Sequence, residues 1–205
     1  MIWKIPLADL NYNEQEENAV ISVLRSKWLT MGDVTNHFEQ SFSQLTSSPH
    51  CLSVSNATEA LHLACLALGI GPGDEVITVS HTAVATVAAV EMSGATPVLV
   101  DIHPESYTMD AALLEKARSA RTKAIVPVHL YGRPCDLEQI TSFAKAHGLF
   151  VVEDCAQWFP APGAACVSRS APITSRSARF SPTSGNCWTS STVTRRASPS
   201  SSPCR

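Results

Sequence analysis

Apolar positions along the chain form short strand-like runs that alternate with stretches of helical spacing. The first helical stretch runs from Glu14 to Ser26. From residue 50 onward the pattern predicts strands at 51–55, 75–79, 97–101, 123–128 and 149–153, with helices between them at 57–68, 83–93, 110–118 and 136–147. This alternation predicts an α/β domain built on a mostly parallel sheet.

Two of the predicted strands, at 76–79 and 124–128, are apolar on both faces. A strand of this kind is covered on both sides, so the domain should have three layers with helices above and below the sheet. Gly94 and Gly148 stand where helix ends favour a left-handed residue, and residues 71–74, Gly-Pro-Gly-Asp, predict the turn into the second strand.

The composition changes abruptly after Asp154. Residues 1–154 hold all 18 acidic residues and 9 of the 15 basic ones, whereas residues 155–205 hold six arginines and no Asp, Glu, Lys, Leu or Met. A segment rich in Ser, Thr, Pro and Arg without an apolar pattern does not form a packed core. We expect the folded domain to occupy residues 1–158, with 159–205 as a tail that is disordered or read out of frame.

The charge and the cysteines limit the classes of function. An acidic folded part argues against nucleic acid as a partner, and the tail arginines are scattered among Ser and Pro. The seven cysteines show no C-x-x-C pair and no Cys/His metal spacing, so neither a disulfide framework nor a metal site is predicted. No apolar signal segment opens the chain, and the longest apolar run, 83–90, is too short to cross a membrane. The sequence therefore predicts a cytoplasmic protein.

Polar residues follow the predicted strands at the positions where each strand ends. In parallel sheets, ligands bind beyond the carboxyl ends of the strands, so chemistry is expected in these segments. They are residues 55–58, 80–82, 101, 129–132 and 154–157.

The segment Ser55-Asn56-Ala57-Thr58-Glu59 joins the first predicted strand to a helix. Free backbone N–H groups, the Thr58 hydroxyl and the helix dipole favour a phosphate at such a junction. Asn56 with Glu59 three residues later also predicts a capping box, which needs no ligand. Both interpretations stay open. The segment has no glycine-rich loop, which argues against a dinucleotide or nucleoside triphosphate.

Asp154 ends the last predicted strand and has two interpretations. It can cap the turn that follows, or it can be a buried anion opposite a heteroaromatic nitrogen, as in enzymes that use pyridoxal phosphate (PLP). His81, Thr82 and His129 are further polar groups at strand ends, and each alone is more often structural than catalytic. Trp28 is expected to pack against the core or a partner chain, because large aromatic side chains are usually buried.

Six segments in this order resemble the DegT/DnrJ/StrS family of sugar aminotransferases, which are PLP enzymes with the aspartate aminotransferase fold. The resemblance covers roughly residues 5–158. The segments are 28–32 (WLTMG), 55–61 (SNATEAL), 73–77 (GDEVI), 81–86 (HTAVAT), 127–132 (PVHLYG) and 153–157 (EDCAQ). The resemblance implies an incomplete type I PLP-dependent transferase large domain.

The resemblance also implies roles for single residues. Ala57 and Thr58 would hold the cofactor phosphate, Asp154 would pair with the pyridine nitrogen, and Gln157 would lie against the cofactor near its ring oxygen. Many members carry an aromatic residue that stacks on the cofactor where this chain has Ala83. His81 could supply that flat surface instead.

The implied reaction moves an amino group from an amino acid such as glutamate to the keto group of a nucleotide-linked sugar. Family active sites lie at a dimer interface, so a homodimer is expected. Members of the family continue to a Ser-Phe-x-x-x-Lys segment whose lysine forms a Schiff base, but the last lysine here is Lys145. We therefore expect the 205-residue chain to be inactive in transamination.

Two alternatives accompany the aminotransferase hypothesis. The chain could be a non-catalytic remnant that binds PLP or a sugar nucleotide. A Rossmann-type dehydrogenase would share the α/β pattern, but no G-x-G-x-x-G follows the first predicted strand, which argues against it.

Overall fold

The computed structural model describes residues 10–46 and 48–158, together with the backbone of a short strand at 191–192. The remainder of the predicted tail, 159–205, lies outside the described residues. The chain divides into two compact units, Met1–Gln40 and Ser41–Arg205.

The first unit contains the helix α1, Glu14–Ser26, whose bounds match the prediction. Asn13 begins it with a capping box: the Asn13 side chain accepts from the Gln15 amide at 2.8 Å, and the Asn13 amide donates to Glu16 at 2.7 Å. Lys27 ends the helix in the left-handed conformation. None of the residues of α1 is buried.

A second helix, α2, spans Asp33–Thr46 and was not predicted. Just before it, Trp28 is 61% exposed, so it does not pack against a core among the described residues, and its packing against a partner chain stays a prediction. The Trp28 indole donates to the Met31 carbonyl at 2.9 Å. A Cβ on Gly32 would lie 2.5 Å from the indole nitrogen, so the absence of a side chain at Gly32 permits this local packing.

The second unit is built on a parallel sheet of four strands in the order β2-β1-β3-β4. The register places Ile77 of β1 opposite Val98 and Ile125. The strands are β1 Glu75–Val79, β2 Thr96–Val100, β3 Thr122–Val126 and β4 Phe150–Val151. A separate antiparallel pair joins β5, Glu153–Asp154, to β6, Ser191–Thr192.

Helices cover both faces of the sheet, as the apolar strands predicted. They are α3 Ala57–Ala67, α4 Val84–Met92, α5 Leu114–Ala117 and α6 Leu137–His147. Alternate strand residues enter different cores, because successive side chains point to opposite faces. Ile77 and Ile125 pack with Ile140 of α6, whereas Val76 and Ala124 pack with residues of α3 and α4. The three-layer α/β prediction is confirmed.

Two predicted elements differ from the structure. No strand forms at 51–55, where Leu52 alone makes a bridge, because a strand needs a continuous ladder of backbone hydrogen bonds. The predicted helix at 110–118 is a 3₁₀ turn at Ala111–Leu113 followed by α5. Asp110 begins that turn by accepting from the Ala112 amide at 3.0 Å.

The predicted punctuation is confirmed. Gly148 ends α6 with φ of 66°, and its amide donates to the Ala144 carbonyl. The turn at 71–74 closes through a 3.0 Å bond from the Asp74 amide to the Gly71 carbonyl. No helix among the described residues has the length and apolar character needed to span a membrane.

Candidate functional site

The carboxyl ends of the parallel strands meet at one edge of the sheet, and that edge carries the polar segments that follow β1, β2 and β3. β1 leads into residues 80–82 and then α4. β3 leads into residues 127–132, and β5 ends at Asp154. A single parallel bridge between Val128 and Asp154 fixes the position of β5 beside the extension of β3.

Asp154 is 4% exposed, and both of its carboxylate oxygens are hydrogen-bonded. Thr86 Oγ1 donates to Oδ2 at 2.7 Å, and the Ala156 amide donates to Oδ1 at 3.1 Å. The backbone of Asp154 is fixed as well, because the Asp154 amide donates to the Pro127 carbonyl at 2.9 Å and the Asp154 carbonyl accepts from the His129 amide at 3.0 Å. Asp154 therefore caps a turn and is a buried carboxylate, and its pairing with a heteroaromatic nitrogen stays a prediction.

A second threonine extends this contact. Thr82 Oγ1 lies 2.8 Å from Thr86 Oγ1. An ionised carboxylate can only accept, so Thr86 must donate to Asp154, and its own oxygen is then the acceptor for the Thr82 hydroxyl. The result is a directed chain from Thr82 through Thr86 to the carboxylate.

His129 lies inside the protein and is 0% exposed. Its Nε2 lies 3.0 Å from Glu153 Oε2, and the Cys135 amide donates to its Nδ1 at 3.0 Å. Burial lowers the pKa of the imidazole, and hydrogen bonds with Cys135, Cys155 and Glu153 raise it. Because the Cys135 amide points at the Nδ1 lone pair, we assign the neutral ring with its proton on Nε2, directed at Glu153. His129 is thus a structural residue.

The side chains of His129, Glu153 and Cys155 could offer ligand atoms to a metal, since these atoms lie within 4.8 Å of one another. Metal binding through Nε2 needs a free lone pair there, whereas the amide at Nδ1 places the ring proton on Nε2. The donor set therefore does not fit a metal ion without loss of the Cys135 hydrogen bond.

The junction before α3 presents two unused backbone donors. Asn56 Oδ1 accepts from the Glu59 amide at 2.9 Å, but no return bond from Glu59 to the Asn56 amide occurs within the described part of the chain, so the predicted capping box is half formed. The amides of Ala57 and Thr58 belong to the first turn, where no intrahelical acceptor exists. Among residues 10–46 and 48–158 no hydrogen-bond partner of these two amides is found.

Gln157 holds the loop that contains Tyr131. Its side-chain oxygen accepts from the Tyr131 amide at 3.2 Å, and its backbone carbonyl accepts from the Gly132 amide at 3.1 Å. Tyr131 has φ of 54°, and its ring stands edge-on to His81 with 5.8 Å between ring centroids. His81 Nδ1 is buried without a hydrogen-bond partner among the described residues.

Hydrogen bonds thus link Thr82 to Asp154 through Thr86, and they link Gln157 to the loop that contains Tyr131. Thr86 was not singled out from the sequence. Its signal was present, because it lies four positions after Thr82 and is the only polar residue between Ala83 and Val90 of the predicted helix.

Comparison with known proteins gives consistent matches. A sequence model of the DegT/DnrJ/EryC1/StrS aminotransferase family matches residues 11–175. A protein named GDP-perosamine synthase from Escherichia coli O157:H7 is 44% identical over 156 residues, which cover 76% of this chain and 43% of that protein. The solved structure of S. venezuelae DesV is 43% identical with a TM-score of 0.69, covering 71% of this chain and 39% of DesV. Bacillus subtilis NtdA, solved with bound cofactor PMP, is 35% identical with a TM-score of 0.72, covering 78% of this chain and 38% of NtdA.

The chain therefore spans less than half the length of these relatives. The structural matches confirm the predicted fold class, an α/β large domain of the aspartate aminotransferase type with a mostly parallel sheet.

Proposed function

The chain belongs to the DegT/DnrJ/EryC1/StrS aminotransferase family, and from that premise we propose that the protein is a PLP-dependent sugar aminotransferase. It moves an amino group from an amino acid such as glutamate to the keto group of a nucleotide-linked sugar. The observation that carries the proposal is Asp154, a hydrogen-bonded carboxylate that is 4% exposed at the carboxyl edge of a parallel sheet.

PLP makes two demands on a protein, and the described residues fit both. Its phosphate needs hydrogen-bond donors, and the free amides of Ala57 and Thr58 with the Thr58 hydroxyl supply them at the positive end of α3. Its ring nitrogen needs an anion, and Asp154 is a carboxylate held away from water. Asn56 caps the helix through the Glu59 amide alone, so capping and phosphate binding do not compete for donors.

Asp154 would hold a proton on the ring nitrogen of the cofactor. With that proton in place, the bound cofactor supplies an electron sink for the pair released at the substrate carbon. Exclusion of water around Asp154 strengthens this contact, because charge interactions weaken in a medium of high dielectric constant.

Gln157 would lie near the ring oxygen of the cofactor. Its side-chain oxygen accepts from the Tyr131 amide at 3.2 Å, which leaves the NH₂ group to donate. Ala83 begins α4 without an aromatic side chain, so the flat surface against the cofactor ring would come from His81, which stands against Tyr131.

The proposed partners are a nucleotide-linked keto sugar, an amino-acid donor and a second copy of the protein in a homodimer. The name of the Escherichia coli relative, GDP-perosamine synthase, supports a sugar nucleotide as the acceptor. A cytoplasmic location fits substrates of this class.

A second candidate is binding of the cofactor without amino transfer. The segment between Lys145 and Arg205 contains no further lysine that could bond the cofactor aldehyde, and this observation favours the candidate.

Titration of the purified protein with pyridoxamine phosphate (PMP), followed by addition of 2-oxoglutarate, separates the two candidates. PMP carries its own amine, so its binding does not depend on a lysine. We expect saturable binding, and conversion of the PMP absorbance to that of PLP by 2-oxoglutarate would support amino transfer and overturn the expectation that the 205-residue chain is inactive. Binding without conversion would favour the second candidate, and no binding of PMP or PLP would reject both.

A further inference from the structure

We propose that Thr86, oriented by Thr82, is a positioning residue that keeps Asp154 in its anionic form, so that the proton shared with a ligand ring nitrogen stays on that nitrogen. This inference rests on the proposed function, because it concerns the same cofactor contact. It assigns a role to a helix residue that the family resemblance did not single out.

The contact is short and buried at both ends. Thr86 is 1% exposed and Asp154 is 4% exposed, and the distance from Oγ1 to Oδ2 is 2.7 Å. A hydroxyl that donates to a carboxylate stabilises the anion and has little to offer the neutral acid.

The hydroxyl direction is fixed by its surroundings. Thr86 lies in the first turn of α4, and its amide donates to the Ala83 carbonyl at 3.1 Å. The Thr82 hydroxyl, 2.8 Å away, donates to the Thr86 oxygen, which leaves the Thr86 proton free to point only at Asp154. Hydrogen bonds in such a chain polarise one another, so Thr82 strengthens the contact that Thr86 makes.

The position of Thr86 in the first turn of α4 also stabilises the Asp154 anion. The first turn of a helix carries partial positive charge from its unpaired amides, and Ala83 provides no side-chain cap for them. Asp154 reaches this turn through Thr86, so the helix end and the hydroxyl both favour the carboxylate over the neutral acid.

A purely structural role for Thr86 would be to tie α4 to the strand that ends at Asp154. Such a role predicts a change in stability but no change in where the shared proton resides. The protonation state of the ligand ring nitrogen therefore distinguishes the two.

The test uses the full-length protein and four variants. Thr86→Val removes the hydroxyl and keeps the shape, Thr86→Ser restores the hydroxyl, and Thr82→Val removes only the outer member of the chain. Thr78→Val is the matched control, because Thr78 is 0% exposed and donates to the Val126 carbonyl at 2.9 Å, away from Asp154. The readouts are the melting temperature of the cofactor-free protein, PMP affinity, and the nitrogen chemical shift of ¹⁵N-labelled PMP.

We expect Thr86→Val to weaken PMP binding by about tenfold, because hydrogen bonds to charged groups contribute this much or more. Its ring-nitrogen signal should move toward that of the neutral ring, and Thr86→Ser should restore both values. Thr82→Val should weaken PMP binding by about threefold and move the ring-nitrogen signal in the same direction as Thr86→Val. Thr78→Val should lower the melting temperature without moving the nitrogen signal.

A ring-nitrogen signal in Thr86→Val equal to that of the wild type would overturn the inference and leave the proposed function intact. Failure of the wild type to bind PMP would overturn both. If Thr86→Val does not fold, Thr82→Val decides the matter, because an unchanged nitrogen signal in that variant also contradicts the directed chain.

Discussion

Glu153 and Asp154 are adjacent carboxylates, both nearly inaccessible to water, and the structure surrounds them differently. Glu153 faces the ring of His129, whose other nitrogen is occupied by the Cys135 amide. Asp154 faces a threonine hydroxyl and a turn amide. Successive residues of a strand point to opposite faces of the sheet, so the two side chains enter different surroundings. The two carboxylates therefore have different hydrogen-bond partners, and we propose that only Asp154 meets a ligand.

The largest expected effect is a loss of stability and concerns Glu153. Replacement His129→Leu leaves the Glu153 carboxylate buried without its hydrogen bond, which should lower the free energy of unfolding by about 3 kcal/mol. Unfolding in urea measures this loss. The folded fraction should still bind PMP with nearly wild-type affinity, because His129 contacts Glu153 rather than the candidate site.

The double variant His129→Leu with Glu153→Leu is the control. An apolar pair of similar size should recover much of the lost stability, since no buried charge remains. Equal stabilities of the single and double variants would show that the two side chains are not coupled.

The second effect concerns the carboxylate at the edge. Asp154→Asn keeps the size and an oxygen for Thr86 but removes the charge, so whatever rate of amino transfer the wild-type chain shows should fall by about 10²- to 10³-fold. Single-turnover reaction of the PMP-loaded protein with 2-oxoglutarate measures it, while the melting temperature should change little.

Glu153→Gln is the matched control for Asp154→Asn, because it removes the neighbouring charge on the opposite face. It should lower stability and leave the transfer rate of the folded protein nearly unchanged. A transfer rate in Asp154→Asn close to that of the wild type would remove the functional difference between the two carboxylates.

The third effect separates the two interpretations of the α3 junction. Asn56→Ala removes the acceptor for the Glu59 amide and should lower the free energy of unfolding by about 1 kcal/mol. Thr58→Val should leave stability nearly unchanged and weaken PMP binding by about tenfold, because a hydroxyl to a phosphate is a hydrogen bond to a charged group.

Pyridoxamine, which lacks the phosphate, sharpens this comparison. Its affinity should not respond to Thr58→Val, whereas loss of the Asp154 charge should weaken both ligands. Equal loss of PMP and pyridoxamine affinity in Thr58→Val would place the phosphate elsewhere.

Local patterns in the sequence predicted much of the fold. The bounds of α1, Glu14–Ser26, and of β1, Glu75–Val79, agree with the predictions, because strong periodicity and clear turn residues bracket them. α2 was missed since its Thr, Asn and Ser residues are weak helix formers, although Val34 and Phe38 have helical spacing. The predicted strand at 51–55 fails because strand formation depends on a neighbour, which a local pattern does not reveal.

The same distinction holds for the site. Asp154 was found from its place at a strand end, a local property. Its partner Thr86 lies 68 residues away in sequence, and the chain of hydroxyls that includes Thr82 forms only when α4 packs beside the sheet. The orientation of the carboxylate therefore depends on tertiary packing, whereas its position at a strand end can be predicted from the sequence.

The smallest effect concerns a third carboxylate, Glu75, which lies at the amino end of β1 and thus at the opposite edge of the sheet. Hydrogen bonds from Ser119 and Arg121 hold its pKa below the ordinary value of 4.5. A carboxylate with a lowered pKa in the folded state contributes stability that is fully present above the unfolded pKa and is lost as the pH falls through the folded pKa.

The stability difference between wild type and Glu75→Gln should therefore be constant near neutral pH and shrink below about pH 4.5. Urea unfolding at a series of pH values measures it, and a difference that persists undiminished in acid would contradict the assignment. PMP affinity should not change in Glu75→Gln, because Glu75 lies at the amino edge of the sheet, opposite the carboxyl edge where ligands of parallel sheets bind.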